Sequence, residues 1–224
     1  MSTPPNPPTI YRILSWVITL SIPVALVLTA VRLMMTPAFL HLEYGTPNFP
    51  EDFYGFTKAD RLVWSKIAVE YLLNDKSISF LGDLKFPDGS PLYNERELGH
   101  MVDVKNTVKG ALTVWYISLA ALLGLGLWAW IGRWWQVYRG GVARGGLLTA
   151  GLVGLLIAFV LISFGVLFVA FHNIFFAAGT WLFEYSDTLI RLFPERFWRD
   201  IFIYVGLFSL ATGLALYFIF RNRK

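Results

Sequence analysis

Four uninterrupted apolar stretches, roughly residues 13–31, 108–131, 147–171 and 201–220, constrain this chain more than any other feature. Each is long enough to cross a hydrocarbon core of ~30 Å as an α-helix. With 56% of its 224 residues hydrophobic, the chain is too apolar for an ordinary soluble domain. The expected fold class is therefore an all-α membrane protein, a four-transmembrane-helix bundle with a small extracytoplasmic cap between helices 1 and 2. The expected division is a disordered cytoplasmic tail over residues 1–12 and a single integral membrane domain over 13–224. Its spans lie at about 13–35, 108–131, 147–171 and 201–220, and its outer cap at about 36–107.

The distribution of charge predicts the topology. Arg12 lies before span one, and Arg133, Arg139 and Arg144 lie between spans two and three, where there is no acid. The chain ends Arg221-Asn222-Arg223-Lys224. By the positive-inside rule all three segments are cytoplasmic, which leaves both termini inside and the other two loops outside. These basic segments read as topology signals beside anionic lipid, and no nucleic-acid partner is expected. Val31-Arg32-Leu33-Met34-Met35 offers no small-x-small cleavage site, so the first span is expected to be retained as an anchor. The preceding Pro4-Pro5-Asn6-Pro7-Pro8 reads as a disordered or polyproline tail. Cysteine is absent, which excludes a disulfide, a thiolate-bound metal and a cysteine nucleophile.

Within the outer loop, Thr57-Lys58-Ala59-Asp60 has capping-box spacing and opens a predicted helix reaching Leu73. Val63, Ile67 and Tyr71, flanked by Leu62 and Trp64, give it an apolar face for either the lipid surface or the bundle. Leu84-Lys85-Phe86 and Pro91-Leu92-Tyr93, around Pro87-Asp88-Gly89-Ser90, predict a short hairpin or turn. Asn94 and Glu97 mark another helix start, and one helix is expected over Glu95–Ile131. Its first turns lie outside the membrane, with Glu97, His100 and Val104 on one face and Asp103 one step around. Gly146, Ala150, Gly154 and Ala158 form a small-residue stripe for close helix packing in span three.

Two of the three histidines, His100 and His172, are thereby expected at the same outer boundary, about 12 Å beyond Val108 and at the end of span three. An imidazole titrates near neutrality, so the pair points to proton transfer. Taken singly, His100 also reads as an exposed helical residue and His172 as an interfacial anchor. Glu97 and Asp103 either pair with Arg96 and Lys105 or orient a histidine. Arg32 either snorkels or recognises a phosphate or carbonyl. Trp181 belongs to an aromatic set, with Phe183, Tyr185, Phe193, Phe197 and Trp198, of the interfacial-belt kind. His41 reads as a surface residue. No phosphate loop, nucleophile elbow or HExxH pattern occurs, and neither a metal nor a cofactor is expected.

Arg96-Glu97-Leu98-Gly99-His100-Met101-Val102-Asp103-Val104-Lys105 resembles the bacterial lipoprotein intramolecular transacylases. So do Phe171-His172-Asn173-Ile174-Phe175-Phe176, Leu192-Phe193-Pro194-Glu195-Arg196-Phe197-Trp198 and the earlier Tyr54-Gly55-Phe56. The resemblance implies a plasma-membrane acyltransferase whose substrate is a diacylated lipoprotein held in membrane lipid. The sn-2 acyl chain of an S-diacylglyceryl cysteine moves to that cysteine's own α-amine, leaving a lyso-form. Ester is exchanged for amide inside one molecule, so no nucleotide or acyl carrier is needed. His100 and His172 are then the expected catalytic pair, with Glu97, Asp103, Lys105 and Asn173 supporting or orienting. Arg32 and Trp181 are expected to contact substrate or lipid. Two other classes fit the residues alone: a b-type haem electron carrier with two histidine ligands, and a non-catalytic envelope assembly protein.

Overall fold

The computed structural model describes residues 8–221. The proline-rich stretch before Pro8 and the terminal residues 222–224 lie outside them. Eight helices follow in order: α1 (Thr9–Met34), α2 (Pro37–Glu43), α3 (Lys58–Leu73), α4 (Ser79–Gly82), α5 (Glu95–Ile131), α6 (Trp135–Phe175), α7 (Thr188–Leu192) and α8 (Glu195–Phe220). Among the described residues the sole strand-like feature is the bridge between Lys85 and Pro91, closing the predicted turn. Gly89, at φ +86°, supplies its left-handed residue.

Four helices, α1, α5, α6 and α8, are long and apolar enough to cross a membrane. The 37 residues of α5 and 41 of α6 amount to about 55 and 60 Å at 1.5 Å per residue, well beyond a ~30 Å core. Two boundaries differ from expectation. Residues 9–12, assigned from sequence to a disordered tail, are the first turn of α1. Arg139 and Arg144, expected in a loop, lie on α6, which begins just after the tight turn at Gly132 and Arg133. Arg133 adopts φ +60°, the left-handed conformation that ends a helix. Farther along, α6 kinks at Ser163 (φ −154°, ψ 67°), two residues before Gly165.

The chain forms two compact units, residues 1–30, 113–158 and 204–224 in one, and 31–112 and 159–203 in the other. The first is held by backbone approach. A Cβ on Gly145 would stand 2.6 Å from Ile22 and 2.8 Å from the Thr19 carbonyl, and one on Gly141 would stand 3.0 Å from Ser15 and Ile18. Gly146 meets Gly213 of α8 backbone to backbone. The predicted stripe is thus only partly used, since Gly154 has nothing within 4 Å of its Cβ position. Thr19 and Thr149 satisfy their hydroxyls on carbonyls four residues earlier, both at 2.8 Å. Ile18, Ile22, Ala25, Leu122, Ala129, Trp134 and Val142 fill the core.

The second unit is built differently. Its core of Tyr71, Leu81, Leu92, Tyr93, Met101, Leu189 and Leu192 is bracketed by polar side chains reaching main-chain groups. Glu97 accepts from the Leu189 amide at 2.7 Å and the Asn94 amide at 2.8 Å. Tyr44 donates to the Leu192 carbonyl, and Arg61 to the carbonyls of Arg191 and Pro50. Arg191 in turn pairs with the buried Asp52 at 3.1 Å. The cap expected over residues 36–107 therefore includes α7 and the loop before it. The capping box of α3 forms as predicted, yet its buried face is Arg61, Ser65, Ala68 and Tyr71, while Val63 is exposed. Burying Arg61 is possible because those two carbonyls accept its protons. Glu43 is fully buried, beside Asp200 and Arg196. Burial and the charge of Asp200 raise its pKa to about 7, with Arg196 opposing.

Candidate active site

The second unit brings His100 and His172 together. α5 delivers the first one turn and a half past its Asn94 start, and α6 delivers the second three residues before its end. The rings lie 6.3 Å apart between centroids, inclined by 21°. Each histidine is only 9% exposed. Aromatic side chains wall them in. Phe176 meets His100 edge-on at 4.9 Å and His172 at 5.6 Å. Phe183 meets His100 at 5.3 Å, while Phe168 and Trp181 lie 4.0 and 4.7 Å from His172.

His172 Nδ1 lies 2.8 Å from the Phe168 carbonyl. A carbonyl only accepts, so Nδ1 carries the proton and a neutral ring keeps its lone pair on Nε2. His100 Nδ1 and Trp181 Nε1 are buried without partners. An unpaired buried polar atom costs about 1–3 kcal/mol, which a bound polar group offsets. Two imidazoles whose centres are 6.3 Å apart can both reach one small reacting centre, since each hydrogen bond spans ~2.6–3.2 Å. Phe176 packs against both rings, occupying space that a porphyrin held between them would need. Among the described residues no group of three His, Asp or Glu side chains could hold a metal ion.

The other sequence-derived candidates fall into two groups. Trp181 is in the wall, its ring tilted 39° against that of His172. Asp103 is exposed on α5, one helical step from His100. Glu97 points away into its bracket with Leu189 and Asn94 and makes no hydrogen bond to a histidine. Lys105 is buried elsewhere, donating to the Lys76 carbonyl at 2.6 Å and lying 3.8 Å over the Tyr71 ring. Asn173 is exposed, and Arg32 turns back to the Met35 carbonyl. His41 is exposed. Phe168 is not singled out by the sequence, and Phe176 and Phe183 are singled out there only within a family-like segment and an interfacial aromatic set, not as walls of the histidine pair. The first two were detectable, since residues 168, 172 and 176 recur every four positions and so share one helical face. Phe183 comes from a loop, where no periodicity announces it.

The family described as lipoprotein intramolecular transacylase Lit matches residues 16–198. An uncharacterised protein of Aquifex aeolicus (strain VF5) is 26% identical over 216 residues, covering 92% of this chain and 93% of its own. The structure of the membrane integral lipoprotein intramolecular transacylase Lit from Bacillus cereus superposes with a TM-score of 0.79 at 22% identity, covering 95% of this chain and 94% of that one. A histidine-to-arginine variant of that enzyme superposes at 0.72, with 22% identity and coverage of 95% and 91%. At such identity these structures share a fold with the chain, whereas the family match extends over most of its sequence. The chain belongs to the lipoprotein intramolecular transacylase Lit family, multi-pass membrane acyltransferases.

Proposed function

We propose that His100 and His172 form the acyl-transfer centre, and that it moves the sn-2 acyl chain of an S-diacylglyceryl cysteine onto that residue's α-amine. The carrying observation is the aromatic-walled pair, 6.3 Å apart, with the Nε2 lone pair of His172 fixed by the bond from Nδ1 to Phe168. An α-amine has a pKa of about 7.7–8.0 and is mostly ammonium near pH 7, so it first releases a proton to water and attacks as the neutral amine. Its nitrogen then bonds to the ester carbonyl carbon, and His172 Nε2 accepts the proton that the nitrogen sheds. Collapse of the tetrahedral centre breaks the bond to the glycerol oxygen, which takes a proton back from the histidine pair. An amide and a glycerol hydroxyl result, and the enzyme returns to its starting state.

Tethering of amine and ester in one substrate already supplies proximity. The protein's part is orientation and proton transfer in a water-poor box, with Phe168, Phe176, Phe183 and Trp181 as the apolar wall. Glu97 acts by holding α5 to α7 and so placing His100. Lys105, farther along α5, holds the connection between α3 and α4 through the Lys76 carbonyl.

The Arg and Lys asymmetry supports cytoplasmic termini, with the histidines facing outward in a bacterial plasma membrane. Ester groups of diacylated lipoproteins lie at the same headgroup boundary, among membrane lipids. The test is mass spectrometry of a synthetic diacyl lipopeptide incubated with the purified protein. The expected product has unchanged mass but carries one acyl group on nitrogen, distinguished by fragmentation. Recovery of substrate alone, or of a hydrolysed fatty acid, would contradict the assignment.

A further inference from the structure

The first unit has a second polar feature, remote in sequence from the histidines. A cavity of about 370 Å³ is lined by Arg12, Ser15 and Trp16 of α1 and by Gln136, Gly140 and Arg144 of α6. Arg144 donates to Ser15 Oγ and lies over the Trp16 ring at 6.0 Å. Among the described residues of this unit there is no Asp or Glu to pair with either arginine. Ile13, Trp16, Val17, Leu20 and Val24, all exposed, run up α1 from the same place. Their spacing is that of one helical stripe.

We infer that this groove binds an anionic phospholipid, Arg12 and Arg144 holding the headgroup phosphate and the α1 stripe receiving an acyl chain. Guanidinium groups match phosphate oxygens with paired donors, and each cation near an anionic leaflet adds measurable attraction. Gln136 and Ser15 offer neutral donors to the remaining oxygens. Trp16, exposed at 60%, is suited to the boundary between headgroup and acyl chain. The apolar stripe beside the two arginines is what selects a lipid over a free anion. The inference stands independently of the acyl-transfer reading.

The test is native mass spectrometry of the detergent-purified protein, titrated with phosphatidylglycerol, with phosphatidylcholine of the same chains, and with inorganic phosphate. Phosphatidylglycerol is expected to bind as a discrete adduct and to outcompete phosphatidylcholine. Arg12→Gln, at an exposed residue, should weaken it about fivefold, and Arg12→Gln/Arg144→Gln about thirtyfold. The charge-matched Arg133→Gln/Arg139→Gln should change it less than twofold. Equal binding of the two lipids, or equal loss in the charge-matched variant, would overturn the site in favour of a diffuse field. Inorganic phosphate binding as tightly as phosphatidylglycerol would overturn the lipid assignment.

Discussion

Residues 1–30, 113–158 and 204–224 carry seven of the nineteen lysines and arginines and no acid, whereas residues 31–112 and 159–203 carry all fifteen acids. The two units solve the burial of polar backbone differently. In the first, hydroxyls return to their own helix or to a carbonyl of the adjacent one, and glycines let α6 touch α1 and α8. In the second, Glu97, Arg61, Tyr44 and Arg196 reach main-chain groups of distant segments and lock loops in place. A lipid-embedded region gains from close packing without charge. A proton-transfer site gains from fixed geometry, which long-range polar brackets supply. The histidines lie in the unit built the second way.

That contrast is open to attack at several points. The largest effect is expected at the site, where His100→Ala or His172→Ala should lower conversion of a diacyl lipopeptide by ~10²–10⁴-fold. Folding should be little changed, and His41→Ala, at an exposed residue, should convert substrate at nearly the parent rate. In the first unit, Gly145→Val places new atoms within 2.6 Å of Ile22 and should cost about 1–3 kcal/mol in denaturant unfolding. Gly154→Ala, with open space around it, should cost nothing or stabilise slightly. In the second unit, Glu97→Ala strands the Leu189 and Asn94 amides and should cost about 1–3 kcal/mol. Its activity loss should track thermal stability and recover on cooling, which a direct role in proton transfer would not produce.

The smallest effect concerns Glu43, whose folded pKa of about 7 stands above its unfolded value of about 4.5. The folded state therefore holds an extra proton between those values, and stability contributed there is present below pH 4.5 and lost as pH rises through 7. Melting temperature should accordingly fall across that interval, and Glu43→Gln should flatten the fall. An unchanged slope in the variant would place the titration elsewhere.

Much of this was legible in the residues. The four spans follow from apolar length alone, and α3 and α5 from local capping at Thr57 and Asn94. The convergence of His100 and His172 followed from placing both near one boundary. The brackets were not legible, because Glu97 to Leu189 and Arg61 to Arg191 join positions far apart in sequence. Arg61 on a charged helix reads as solvated until the carbonyls that receive it are known. Lys105 likewise reads as a neighbour of His100, and only the fold assigns it to Lys76 and Tyr71. The beginning of α6 was hidden by its arginines and glycines, which lower local hydropathy without breaking the helix.

The central claim is that the two imidazoles act as a unit on one reacting centre. The measurement is single-turnover formation of N-acyl lyso-lipopeptide by the parent protein, His100→Ala, His172→Ala and the double variant, at matched folded protein. If the pair works as a unit, the double variant is scarcely slower than the poorer single one, as for catalytic groups acting together. Losses that multiply in the double variant would show two independent contributions. Near-parent rates in both single variants would show that the rings are structural and contradict the account.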